Sequence, residues 1–336
     1  MSCYNPLYAY RDSSDTSKPV KILGANPVKD SFNMAYIPQL KDYREVFPVP
    51  CGKCIGCRLD YSKTWADRCV MESMFYDKDQ CWFLTLTYDD EHLPPLLDSA
   101  CIEGNPYYST TRKSDYVDFM KRFRIHEDRK RDIKGIREFG CSEYGGDSLR
   151  PHFHQLIFGD DLTPYLDYYK TNVLGDPLFK SDYLTKIWGH GFVVVGKFNW
   201  RTAAYTARYI LKKVKGEHAD ELYSNLGIER ESRFGSNRPG IGRPYFDAHY
   251  KDIYDCDQII LPAIDGKPHI IKPPKYFDDL YEKIDPLHLE MLKEERKRIA
   301  NTAHQEELFH TDLDEDEYFK VKENFGNSFK NIRNCI

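Results

Sequence analysis

The sequence predicts an α+β fold. Three observations carry this reading. Runs with strand character occur at 81–88, 136–144, 151–158 and 191–198; amphipathic helical stretches lie before, between and after them; and a Gly-rich turn signal joins the second run to the third. The first 50 residues form a loop-rich, cysteine-containing extension, and the C-terminal region is mostly helical in composition. The expected division is an N-terminal arm with the first helix over 1–80, a core over 81–250, and a helical extension with an acidic tail over 251–336.

Residues 1–50 hold many Pro, Asn, Asp and Ser and show no sustained period, so they read as mostly loop. Within 58–80, Trp65, Cys69, Met71, Met74 and Phe75 recur at helical spacing. Cys81–Tyr88 reads as a strand that Asp89-Asp90 ends. A Pro/Ser-rich connection over 92–111 leads to a basic helix over 114–131, whose apolar stripe is Tyr116, Phe119, Met120 and Phe123. The runs 136–144 and 151–158 flank Gly145-Gly146-Asp147-Ser148 and predict a hairpin. Residues 162–188 read as helical at least in part, Gly191 to Phe198 as a strand, and 201–215 as a helix. The pattern weakens after 216, with loop signals around Arg238-Pro239-Gly240. Residues 277–308 are again helical in composition. No internal repeat is evident.

The chain has 336 residues, of which 41% are hydrophobic and 30% charged, enough for a packed core. No apolar run is long enough to cross a bilayer and no signal-peptide core opens the chain, which gives the expectation of a cytoplasmic protein with no membrane partner. The formal net charge is −5, yet residues 112–137 carry ten Lys/Arg against five Asp/Glu, and 197–215 carry six Lys/Arg and no acid. The acidic run Asp312–Glu317 reads as a solvated tail. A nucleic-acid partner is therefore compatible with the local pattern, whatever the net charge. There is no Gly-x4-Gly-Lys-Ser/Thr phosphate loop, so a built-in ATP-driven helicase is not expected.

His152 and His154 stand two apart in a strand, which places both imidazoles on one face and Phe153 on the other. A hairpin symmetric about 147/148 sets Glu143 directly opposite His152, with the Cβ atoms roughly 4.5–5.5 Å apart. Two imidazoles and a carboxylate suit Mn²⁺ or Mg²⁺ at a phosphodiester-cleaving centre; imidazoles would also admit Zn²⁺. Downstream, Tyr205 and Tyr209 are four apart and share one helix face, with Lys212 and Lys213 one turn later. Ala203, Ala204 and Ala207 let that helix approach a sheet closely. A tyrosine hydroxyl can attack a phosphodiester and conserve the bond as phosphotyrosine, and a nearby lysine can activate the phenol or neutralise the pentacoordinate phosphate.

Cys51, Cys54 and Cys57 form a Cys-x2-Cys-x2-Cys run that wants a fourth thiolate. Cys3 is the first choice and Cys69 the second, for a structural Zn²⁺. The spacing also resembles half of a ferredoxin iron–sulfur pattern, without its Cys-Pro. The basic segments can contact phosphates, and Tyr88, Phe153 and Trp200 are aromatic candidates for stacking on bases.

Phe83-Leu84-Thr85-Leu86-Thr87-Tyr88, then Pro151-His152-Phe153-His154, then Tyr205-x3-Tyr209 resemble the three ordered motifs of HUH rolling-circle replication initiators, in their two-tyrosine branch. Cys51-Gly52-Lys53-Cys54-Ile55-Gly56-Cys57-Arg58 and Arg238-Pro239-Gly240-Ile241-Gly242 resemble segments of the initiators of microviruses, and of gokushoviruses in particular. The resemblance covers roughly residues 1–250. It implies a central antiparallel sheet flanked by helices, and nicking of origin DNA with a 5′-phosphotyrosyl link and a free 3′-OH. It also implies a host-supplied helicase. His152, His154 and Glu143 would be the metal ligands; Tyr205 and Tyr209 would be the nucleophiles, assisted by Lys212 or Lys213. Two other readings stay open on the residues: a non-catalytic zinc-stabilised DNA-binding protein, and an HUH relaxase or transposase of a mobile element.

Overall fold

The computed structural model describes residues 3–328, except 12–19, 26, 29–32, 98–104, 106, 146–147, 210–218, 265–266 and 312. The chain groups into two compact units, Met1–Tyr61 with Lys293–Cys335, and Ser62–Leu292.

In the first unit, five short strands occupy the segment expected to be loop: β1 (Leu7–Tyr10), β2 (Lys21–Gly24), β3 (Met34–Ile37), β4 (Asp42–Glu45) and β5 (Phe47–Val49). They form a β2-β1-β5 sheet and a β3-β4 hairpin. Each is only three or four residues long, too short to show an alternating pattern. One strand finds its partner far along the chain, since Leu7 pairs Val49. Tyr8, Tyr10, Ala35, Ile37 and Val46 make the small core under them. Helix α1 (Ile55–Ser73) then starts inside the cysteine run.

The second unit is built on one seven-stranded antiparallel sheet. In chain order its first elements are β6 (Cys81–Tyr88), α2 (Lys113–Arg131), β7 (Arg137–Tyr144), β8 (Pro151–Phe158), β9 (Asp167–Thr171), β10 (Pro177–Lys180), α3 (Asp182–Trp188), β11 (Gly191–Lys197) and α4 (Trp200–Tyr209). They are followed by α5 (Ala219–Leu226), β12 (Arg233–Gly235), α6 (Arg243–Cys256), the hairpin β13 (Ile259–Ile264) and β14 (Lys267–Ile271), and α7 (Lys275–Tyr281). Helices α8 (Pro286–Phe309) and α9 (Glu315–Ser328) end the described chain. The strand order of the sheet is β12-β7-β8-β6-β11-β10-β9.

The segment 162–188 corrects the helical expectation. It holds the β9–β10 ribbon, and only its end is α-helical. The side chain of Asn172 accepts from the backbone N–H groups of Leu174 and Asp176, at 2.9 Å each, and so closes the turn. All five residues of β9 are exposed. An edge strand with no buried face offers no alternation to read. The acidic run is likewise more than a tail. Asp314 accepts from the N–H of Glu317 at 2.8 Å while the Glu317 carboxylate accepts from the N–H of Asp314, a capping box that starts α9.

Alternation along β6 sorts the two faces of the sheet. Trp82, Leu84, Leu86 and Tyr88 face the core under α2 and α3, with Phe119, Phe123, Phe153 and Trp188. Each such side chain taken from water contributes about 1.5–3 kcal/mol. On the opposite face, α1 and α4 cover one end of the sheet through Trp65, Ala66, Cys69, Ala203, Ala204 and Ala207 against Phe139, Leu156 and Phe158. The other end of that face, at Thr85 and Thr87, is only half-buried.

Arg238–Gly242 is a clamped loop. The Arg137 guanidinium donates to the carbonyls of Pro239 and Gly240, and Arg68 to that of Ile241. The buried Glu72 carboxylate accepts from the N–H of Gly242 at 2.6 Å. A Cβ at Gly240 would stand 2.8 Å from the Tyr276 ring, and Gly242 has φ +83°. Both positions therefore need glycine.

Candidate active site

The hairpin pairs as the sequence symmetry requires, with Glu143 directly opposite His152 and Cys141 opposite His154. On the other side of β8, Thr85 faces His154 and Thr87 faces His152. Glu143, His152 and His154 thus rise from one face of adjacent strands. Glu143 and His154 are 2% and 3% exposed, while His152 is half-buried and opens the site to solvent.

Their donor atoms converge. His154 Nε2 lies 2.8 Å from Glu143 Oε2, His152 Nε2 lies 3.1 Å from the same oxygen, and the two Nε2 atoms are 3.1 Å apart. The far ring nitrogens are held. His152 Nδ1 is 3.0 Å from the Arg150 carbonyl oxygen, and His154 Nδ1 is 3.1 Å from the Thr85 hydroxyl. Such outer contacts fix which nitrogen presents its lone pair. Lone pairs facing one another at this range repel unless a proton or a cation lies among them. Donors about 2.1 Å from a divalent ion on adjacent octahedral positions stand about 3.0 Å apart, which is the spacing found here. The three donors therefore fit a divalent cation and leave its opposite side open. Burial alone would raise the Glu143 carboxyl, but the hydrogen bonds it accepts from His152 and His154 outweigh that and bring it down to about 2. The carboxylate is charged at neutral pH.

Helix α4 delivers Tyr205 to this cluster. Its start is capped reciprocally: Asn199 Oδ1 accepts from the N–H of Thr202, and Thr202 Oγ1 accepts from that of Asn199, both at 2.9 Å. Ala203, Ala204, Thr206 and Ala207 are buried against the sheet, and the Cys141 thiol lies 3.3 Å from the Thr206 carbonyl oxygen. No larger side chain holds the helix off. The Tyr205 ring packs edge-on to His154 with centroids 5.0 Å apart, and against Phe83 at 5.9 Å. Phe83 in turn stacks on His154 at 5.5 Å. Tyr209 closes α4 one turn on; its side chain, and Lys212 and Lys213, lie outside the described residues.

Several expected DNA contacts are corrected. Tyr88 and Phe153 are fully buried in the core on the opposite face of the sheet. Trp200 is half-buried, with its indole N–H donating to Asp67 at 3.1 Å. Much of the charge on α2 is used inside the protein: Arg122 donates to the carbonyls of Ile187 and Trp188, and Arg131 pairs with the buried Glu127 and Asp160. Phe83 and Thr85 are site residues that reading single motifs did not isolate. Their signal was available, because both sit on the half-buried, alternating face of β6.

A second donor group gathers Cys3, Cys51, Cys54 and Cys57, all four sulfurs within 4.8 Å of one another. Cys69 is not among them; it is fully buried beside Trp65 and Ala66. Backbone N–H groups of Lys53 and Cys54 point at Cys51 Sγ, those of Tyr4 and Cys57 at Cys54 Sγ, and that of Cys51 at Cys3 Sγ, at 3.3–3.5 Å. Burial raises the Cys54 thiol, but the N–H groups of Cys57 and Tyr4 outweigh it and lower it to about 7; Cys3 stays raised by burial to about 11. Cys3 Sγ and Cys54 Sγ are 3.9 Å apart. Sulfurs about 2.3 Å from a tetrahedral ion stand about 3.8 Å apart, so the set fits one.

An antiparallel sheet that presents a His-x-His pair, an opposed glutamate and a helix-borne tyrosine has the parts of a metal-assisted phosphodiester-cleaving centre. Comparison with known proteins gives the family. The model of the Replication-associated protein ORF2 family matches residues 81–214, which hold the sheet and the whole candidate site. Replication-associated protein ORF2 of Spiroplasma virus 4 is 34% identical over 267 residues, 77% of this chain and 76% of that protein. Replication-associated protein VP4 of Bdellovibrio phage phiMH2K is 30% identical over 71% of this chain and 69% of its own length. Replication-associated protein ORF4 of Chlamydia phage 1 is 30% identical over 76% of this chain and 58% of its own. The chain belongs to this family of microvirus-type replication-associated proteins. No solved structure matches. Among the described residues no helix is long and apolar enough to cross a membrane.

Proposed function

We propose that this replication-associated protein nicks one strand of origin DNA through a tyrosyl–phosphate intermediate and later rejoins the ends, in rolling-circle replication. The observation that carries the reading is the position of Tyr205, whose ring lies 5.0 Å from the ring of His154, itself one of three converging donors. A Mg²⁺ or Mn²⁺ ion held by Glu143, His152 and His154 supplies Lewis-acid polarisation of the scissile phosphate. Thr85 and the Arg150 carbonyl orient the imidazoles. Tyr205 Oη attacks phosphorus in line; its P–O bond forms as the bond to the 3′-oxygen breaks. The phenol loses one proton and the leaving 3′-oxygen gains one, so the step is proton-neutral overall. The product is a 5′-phosphotyrosine with a free 3′-OH that primes synthesis, and attack by a 3′-OH reverses the step. Tyr209 cuts after one round while the first link is resolved, and Lys212 or Lys213 balances phosphate charge.

We further propose that Cys3, Cys51, Cys54 and Cys57 hold a structural Zn²⁺, that the host supplies the helicase, and that the protein works in the cytoplasm of the host bacterium. The reading is tested by incubating the protein with single-stranded origin DNA and Mn²⁺ and mapping the DNA-linked peptide by mass spectrometry. The expected adducts lie on Tyr205 and Tyr209. Adducts that persist in a Tyr205→Phe/Tyr209→Phe variant would overturn the tyrosine assignment. A wild type that forms none with any divalent metal would overturn the enzyme.

A further inference from the structure

The face that carries the donor cluster continues past it. Directly opposed residues of an antiparallel pair share a face. Following the register outward, His152 is opposite Thr87 and Thr87 is opposite Phe192. In the neighbouring row, His154 faces Thr85, Thr85 faces Val194, and Val194 faces Lys180. Leu178, on the same face of β10, is opposite Lys170. The register shifts between Leu178 and Phe179, which leaves Tyr169 as the extra residue of β9. Its ring turns to the same face, with Lys180 Nζ 4.0 Å and Lys170 Nζ 5.2 Å from its centroid.

This strip is open. Phe192 is 47% exposed and Tyr169 42%, and both lysines are exposed. The strip carries one acid, Asp167, opposite Lys180. Sheet order ends at β9. An edge ribbon that shows aromatic rings to water loses the benefit of burying them, and lysines on such an edge also discourage strand-to-strand association. Guarding an edge requires the charges but not the rings. Rings set between ammonium groups are what a single nucleic-acid strand requires, since bases stack on the rings and phosphates meet the cations.

We propose that Phe192, Lys180, Tyr169 and Lys170 form a single-stranded DNA track leading from the donor cluster to the β9 edge. It spans four strand spacings from β8 to β9, about 19 Å. The proposal deepens the nicking reading and rests on it for the origin of the strand. A duplex cannot use the track, because paired bases do not present their faces to side chains. The track holds the strand flanking the cut and is sequence-tolerant.

The test is binding of fluorescein-labelled dT6, dT15 and a 15-base-pair duplex to the full chain in EDTA, read by anisotropy over a range of salt. Wild type is expected to bind dT15 more tightly than dT6. Tyr169→Ala/Lys180→Ala is expected to lose about tenfold on dT15, with little change on the duplex. Its slope of log K against log salt falls by about 0.7 for the lysine removed. Tyr169→Trp keeps the affinity, which separates stacking from folding damage. Unchanged dT15 binding in the double variant, an equal loss on the duplex, or no preference of wild type for dT15 overturns the track. Adduct formation by wild type in Mn²⁺ is measured apart, so a failed track and a failed nickase are distinguishable.

Discussion

The two donor clusters are built in opposite ways. Glu143, His152 and His154 project from adjacent strands, and their spacing is set by the pairing register of β7 and β8. Cys3, Cys51, Cys54 and Cys57 come from the chain's beginning and from the turn into α1, and their spacing is set by loop backbone folded around sulfur. A sheet holds its donors in place whether or not an ion is bound, and can leave one side of the ion free for a substrate. A loop gains its geometry from the ion, and four thiolates close the shell. The difference teaches that the first cluster is suited to chemistry and the second to holding the fold together.

The largest expected effect falls on the loop-built cluster. Cys54→Ala should reduce bound zinc, measured by plasma mass spectrometry, from one per chain to none. Structural zinc binding is worth about 10–16 kcal/mol in small zinc domains, so the variant should lose several kcal/mol of stability or fail to accumulate as folded protein. A variant that keeps full stability without zinc would break the comparison at its first term.

His154→Ala should act the other way. Metal-dependent adduct formation should fall by about a thousandfold or more, some 4 kcal/mol in the barrier, while the melting temperature stays within a few degrees of wild type. Residual activity within tenfold of wild type would show that the histidines are not the metal's holders.

Acid provides a third test. The Glu143 carboxyl is held at about 2 against an ordinary 4.5. A group with a depressed folded-state value contributes stability that is present above the unfolded value and lost as pH falls through the folded one. Between pH 4.5 and 2, metal-free wild type should therefore lose up to about 3 kcal/mol more than Glu143→Gln, by denaturant melts in EDTA. Parallel acid profiles would mean that the carboxylate does not stabilise the trio.

The smallest effect belongs to orientation. Thr85→Val removes the hydroxyl beside His154 Nδ1 and should weaken metal affinity and cleavage by about 10–100-fold, with the metal dependence shifted to higher concentration. An unshifted metal titration would remove Thr85 from the site.

Legibility followed the range of the interactions. The strand Cys81–Tyr88 was readable because half its residues are buried and alternate. The opposition of Glu143 to His152 was readable because a hairpin's register follows from its turn. The short N-terminal strands and the β9–β10 ribbon were not, since the former pair across long stretches of chain and the latter has an exposed edge. Aromatic residues misled for the same reason. Tyr88 and Phe153 suggested stacking surfaces but fill the core, while Tyr169 and Phe192 drew no notice and face solvent.

By itself the sequence determined which residues can share a strand face or a helix face, because side-chain periodicity is a local property of the backbone. It thereby fixed His152, His154 and Glu143 as one group, and Tyr205 with Tyr209 as another. Only the tertiary structure decided that Tyr205 packs on His154 and that Cys3 joins Cys51, Cys54 and Cys57. It also decided which side of the sheet stays open. Those outcomes depend on packing between segments distant in the chain, where burial and close fit, rather than local spacing, choose the neighbours.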